Sequence, residues 1–74
     1  MARATMHGSV IIIDRHAERG IIRDASGNFY DFLRRNMVFW MDFHVLGMGT
    51  TVTFEPQRRK RVAINVALRL PDHT

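Results

Sequence analysis

The sequence predicts an all-β fold in which five short antiparallel strands close a small barrel. Three observations carry that prediction. Val10-Ile11-Ile12-Ile13 is an unbroken β-branched run; such side chains lose little rotamer freedom in a strand and crowd the preceding turn of a helix. Thr51-Val52-Thr53-Phe54-Glu55 alternates polar and apolar residues with the period of two that a half-buried strand requires. Turn-forming residues punctuate the chain at short intervals, with no long helical pattern between them. Closure belongs to the prediction, because an open sheet of this size would leave aggregation-prone edges.

Taken in order, residues 1–7 read as a loosely held arm ahead of a domain spanning 8–70. The first strand covers residues 9–14, and the charged turn that follows belongs in water. The second covers residues 19–24, with Gly20 able to bring its backbone close to a neighbour or bend it sharply. Ala25-Ser26-Gly27-Asn28 is a turn in which Gly27 can take positive φ. The third strand runs over residues 29–34. Its alternation groups Tyr30, Phe32 and Arg34 on one face and Phe29, Asp31 and Leu33 on the other, with Asp31 expected at an edge or against an arginine. Residues 37–46 read equally as a short helix presenting Phe39, Phe43 and Leu46 or as extended chain over the barrel; periodicity cannot arbitrate in so short a run. The fourth strand covers residues 51–55 with Val52 and Phe54 inward, and Pro56 is expected to end its pairing. Arg58-Arg59-Lys60-Arg61 is a basic turn, residues 62–70 form the fifth strand, and residues 71–74 are a tail.

At 74 residues the chain makes one domain with a small core. No run approaches the ~20 apolar residues needed to span a bilayer, and residues 1–8 lack the apolar centre of a secretory signal. The absence of cysteine excludes disulfides and thiolate metal sites. A cytoplasmic location is the expectation. Eleven basic residues against seven acidic ones give a net charge of +4, which favours polyanionic partners. Ten of the eleven are arginine, whose planar fork pairs with phosphate and stacks on bases, although GC-rich codon usage favours the same bias.

Gly8-x-Val10 followed by Asp14, Gly20-x-Ile22, Gly27 with Phe32 and Arg34, Leu46-x-x-Gly49-x-x-Val52-x-Phe54 and Ala63-x-Asn65-Val66 together form a spaced pattern over nearly the whole chain. That pattern resembles the cold-shock domain, a five-stranded OB-fold barrel that binds single-stranded RNA and DNA. The second and third pieces correspond to its motifs K-G-F-G-F-I and V-F-V-H-F. The resemblance implies a base-stacking face on the first three strands. Here, however, Ile12 stands at the family's tryptophan, Arg19 and Ile21 at two of its phenylalanines and Arg34 at its histidine. Phe32 is retained, with Tyr30 nearby.

Tyr30 and Phe32 beside Arg19 and Arg34 therefore form the sharpest candidate site, with Ile21 on the same face, because single-strand binding needs stacking and positive charge side by side. The competing reading places Phe32 in the core and leaves the arginines merely solvated. Arg58, Arg59, Lys60 and Arg61 could grip phosphates with little base preference, or serve only as solubilising surface. The 37–46 segment is too apolar for so small a core to hide entirely. It is expected to cap the barrel with about half its side chains and leave Trp40 and neighbours for a partner, so Phe39, Trp40 and Phe43 are candidate partner-binding residues, in a homodimer or against another protein.

His7, His16, His44 and His73 are scattered without ligand spacing, and Asp14 and Glu18 share only an open turn. No nucleophile–base pair and no phosphate-cradling glycine loop is visible, so neither an enzyme, a cofactor nor a small-molecule substrate is expected. The expected function is equilibrium binding of single-stranded RNA or DNA, as an RNA chaperone or a regulator of transcription or translation. The alternative is a protein-interaction module that docks through residues 37–46 and has lost nucleic-acid binding.

Overall fold

Five strands form where the β-branched and alternating segments lie: β1 (Met6–Asp14), β2 (Arg19–Asp24), β3 (Phe29–Leu33), β4 (Thr51–Gln57) and β5 (Val62–Leu68). The computed structural model describes residues 5–69, and the strands close into a barrel in the order β1-β2-β3-β5-β4. The expected all-β, OB-fold-like barrel is thus present. Its pairings are antiparallel except at one seam, where β3 runs parallel to β5. Among the described residues, no helix is long and apolar enough to cross a membrane.

Local chemistry fixes each turn. After β1, the Asp14 carboxylate accepts the backbone N–H groups of His16 and Ala17 at 3.1 and 3.0 Å, and Glu18 closes the turn at φ 55°. After β2, Asp24 accepts from the N–H groups of Ser26 and Asn28, both at 2.9 Å, and Gly27 takes φ 88° as its composition predicted. Gly20 is required by close approach: a Cβ there would lie 2.7 Å from both the Ile12 carbonyl oxygen and the Phe32 ring.

The interior is built from Val10, Ile22, Tyr30, Phe32, Val52, Phe54, Ala63 and Val66 on the strands, with Met37, Phe43 and Leu46 from the β3–β4 connection. Val52 and Phe54 point inward as expected. The connection carries two short 3₁₀ helices, at Arg34–Asn36 and Trp40–Val45. The second resolves the ambiguity of residues 37–46 in favour of a short helix, which plugs the barrel with Phe43 and is flanked by buried Met37 and Leu46.

Four boundaries differ from expectation, the fifth strand among them: β5 ends at Leu68, and Arg69 lies beyond it. β1 begins at Met6, inside the supposed arm, because Met6 and His7 pair with Phe54 and Thr53 of β4. β4 continues through Pro56, which pairs with Ala63 before Gln57 pairs with Val62; a proline removes only its own donor and leaves its carbonyl and flanking residues in the ladder. β3 ends at Leu33, so Arg34 belongs to the first 3₁₀ helix. Residues 1–4 of the arm, Leu70 and the 71–74 tail lie outside the described residues.

Candidate nucleic-acid interface

Cross-strand register lays out the solvent face of β1–β3 in three rows. Arg23 of β2 pairs with Phe29 of β3. In the next row Ile21 lies between Ile12 of β1 and Asp31 of β3. In the third, Arg19 lies between Asp14 and Leu33. Opposed residues on one face of a sheet have Cβ atoms about 4.5–5.5 Å apart, so each row is a contiguous patch. Ile12, Phe29 and Leu33 are exposed, Phe29 at 54%. Arg19 approaches Asp31 at 4.0 Å, with both side chains more than half exposed, which is the arginine partner expected for Asp31.

This arrangement inverts the expected faces of β3. Tyr30 and Phe32, proposed as stacking platforms, are each 1% exposed and belong to the core. The Tyr30 ring sits 5.1 Å from that of Phe54, and the Phe32 ring lies edge-on to Phe43 at 6.4 Å. The reason is Asp31. Burying an unpaired carboxylate costs far more than burying a phenol whose hydroxyl finds a partner, and the Tyr30 hydroxyl lies 3.4 Å from Asp24. With Asp31 in water, period two sends Tyr30 and Phe32 inward and Phe29 outward. Phe29 and Arg23 are the residues that the sequence reading missed, and the charge in the middle of β3 was the signal that could have found them.

Arg34 is also corrected. Its guanidinium pairs with Glu18, donates to the Trp40 carbonyl at 3.2 Å, lies 3.1 Å from His44 Nε2 and covers the Trp40 ring at 4.4 Å. These contacts hold the chain together and leave Arg34 only partly exposed, so it is not the free cation a phosphate would need. Arg15 acts in parallel, donating to the carbonyls of Phe43, His44 and Leu46 at the end of the second 3₁₀ helix. Arg19 and Ile21 stand on the solvent side of β2 beside Leu33 and Asp31, not beside Tyr30 and Phe32 as expected, and Arg58, Arg59, Lys60 and Arg61 are exposed in the β4–β5 turn. Arg61, at φ 54°, donates to the Asn28 side chain at 3.3 Å.

The 37–46 segment divides much as its composition suggested. Phe43, a candidate partner contact, is 2% exposed and packs in the core, because position 43 of the second 3₁₀ helix faces the barrel mouth. Phe39 and Trp40 are exposed at 65% and 58%, and Val38, Met41, Val45 and Met48 of the same connection are exposed as well.

Asp24 is the buried charge beneath the interface. Burial raises its pKa, but hydrogen bonds from the Asn28 backbone and side chain, the Ser26 N–H and the Tyr30 hydroxyl outweigh that effect and hold it below the usual aspartate value. It anchors the β2–β3 turn from which Phe29 emerges. In comparisons with known proteins, no family model matches the chain and no curated protein matches it in sequence.

Proposed function

We propose that the protein binds single-stranded RNA or DNA on the solvent side of β1–β3, with the basic β4–β5 turn as an electrostatic extension. The observation that supports this most is the pairing of exposed Phe29 with Arg23 on a face that also carries Ile12, Ile21, Leu33 and Arg19. Phe29 offers one base-stacking surface, the aliphatic side chains offer apolar contact, and the arginines neutralise phosphates and stack on bases. With one aromatic instead of a row of them, affinity comes mainly from charge and base preference is weak. Such binding holds a strand unpaired, which fits an RNA chaperone or a regulator of transcription or translation in the cytoplasm, as the resemblance to cold-shock domains also suggests.

The test is a titration with a labelled oligonucleotide of about ten nucleotides, within the range of one OB-fold. Phe29→Ala is expected to weaken binding by about 1–3 kcal/mol and leave the melting temperature unchanged. No binding at low salt would overturn the reading.

A second reading, a protein-interaction module, is favoured by the exposed Phe39-Trp40-Met41 cluster. Exposed apolar patches on small proteins mark contact surfaces. Arg15 and Arg34 fasten this one to the barrel, so little ordering entropy would be lost on docking.

A further inference from the structure

The parallel seam between β3 and β5 is the weakest part of the barrel wall. The two strands share one ladder pair, Asp31 with Val62, where the Asp31 N–H donates to the Arg61 carbonyl at 2.8 Å. The next link is the bridge between Met37 and Val66, with the Val38 N–H donating to the Val66 carbonyl at 2.8 Å. Between these links the Leu33 N–H turns to the Asn36 side-chain oxygen at 2.8 Å. The wall opens there into a cleft of about 410 Å³, the size of a small-molecule site.

Its lining has two characters. Leu33, Val62 and Ile64 supply apolar lining, together with the almost wholly buried Phe32. Arg19 from β2, Arg35 from the first 3₁₀ helix and Lys60 from the β4–β5 turn supply three exposed cations at the rim. Asp31 is the carboxylate at this cleft, and Arg19 partly neutralises it at 4.0 Å. Asn36 spends its oxygen on Leu33, so its NH₂ remains as a donor, and the Gln57 amide offers both a donor and an acceptor.

We propose that this seam is a nucleotide pocket, taking one base of a bound strand between the aliphatic walls and its phosphate onto Arg19, Arg35 and Lys60. The proposal rests on the single-strand reading and extends it around the barrel, from the β1–β3 face to a site that reads one nucleotide. A flat base with polar edges fits apolar walls flanked by two amides, and a phosphate fits a cleft lined by three exposed cations.

The experiment is a set of ¹H–¹⁵N spectra of the full chain titrated separately with adenosine 5′-monophosphate, adenosine, inorganic phosphate and a single-stranded decamer. Adenosine 5′-monophosphate is expected to shift the amides of Leu33, Asn36 and Ile64, and adenosine or phosphate alone to do so much more weakly. Arg35→Glu and Lys60→Glu, both at exposed positions, should each weaken nucleotide binding about tenfold without changing the melting temperature. Asp31→Asn should strengthen it. If the decamer shifts Arg23 and Phe29 amides while the mononucleotide leaves the seam unperturbed, the pocket is refuted and the single-strand reading stands. If the mononucleotide occupies the seam but the decamer binds nowhere, the single-strand reading falls and with it the proposal that the seam holds one base of a bound strand. Silence from all four ligands refutes both.

Discussion

Phe32 fills the barrel centre between Gly20, which has no side chain to obstruct it, and the edge of Phe43. Phe32→Ala is expected to cost about 3–5 kcal/mol of folding stability, as truncated core aromatics do; urea unfolding measures it. A variant as stable as the parent would return Phe32 to the surface. Asp24 supplies a second residue-scale prediction. Its folded pKa lies below the ordinary value of 3.8, so the folded chain binds fewer protons than the unfolded one in acid. The stabilisation is fully present above the unfolded value and is lost as pH falls through the folded one. Asp24→Asn should flatten that acid limb and destabilise by about 1–3 kcal/mol at neutral pH, because an amide cannot accept from every donor that the carboxylate now serves. Unfolding curves at neutral pH and across the acid range check both. Neither role was legible from residue type. Aromatics and carboxylates are equally at home in cores, turns and binding faces, and only their neighbours separate the three.

The β3–β4 connection is held by two arginines, Arg15 from the β1–β2 turn and Arg34 from the first 3₁₀ helix. Arg34 over Trp40 implies that the indole is exposed yet restrained. Trp40 emission in dilute protein should be accessible to quencher. Arg34→Ala should increase that access and cost about 1–2 kcal/mol through the lost cation–π contact and hydrogen bonds. If the Phe39-Trp40-Met41 cluster meets a second copy, the emission should move to the blue as protein concentration rises, because association withdraws the ring from water. Concentration-independent emission would count against self-association. The division of this segment into buried Met37, Phe43 and Leu46 and exposed Phe39 and Trp40 was readable only in proportion. A chain of ten residues with mixed turns has no single period from which to assign faces.

For the molecule as a whole, the excess of positive charge sets how binding responds to salt. With about four phosphate contacts, log K against log[salt] should fall with a slope near −3 for a single strand. Replacing Arg58 and Arg59 with Ala should flatten that slope and leave base preference unaltered, since phosphate contacts carry no sequence information. An unchanged slope would remove the β4–β5 turn from the footprint. Titrations at several salt concentrations with two oligonucleotides of different sequence separate the two effects.

That this chain is a small β-barrel with a positive surface follows from local features of its sequence. β-Branched runs, alternation in β4 and the turn residues around Asp14 and Gly27 are local properties, and each acts within a few residues. The faces of β3 and of the β3–β4 connection were settled by tertiary packing. A period of two has two phases, and the phase of β3 depends on what closes over it: Gly20 opening space for Phe32, Asp24 receiving the Tyr30 hydroxyl, and Asp31 reaching Arg19 across the strands. The parallel β3–β5 seam was likewise beyond reach, because a strand carries no mark of which distant strand it will meet or in which direction. Long-range pairing is fixed by closure of the whole barrel, and the candidate interface inherits its geometry from that closure.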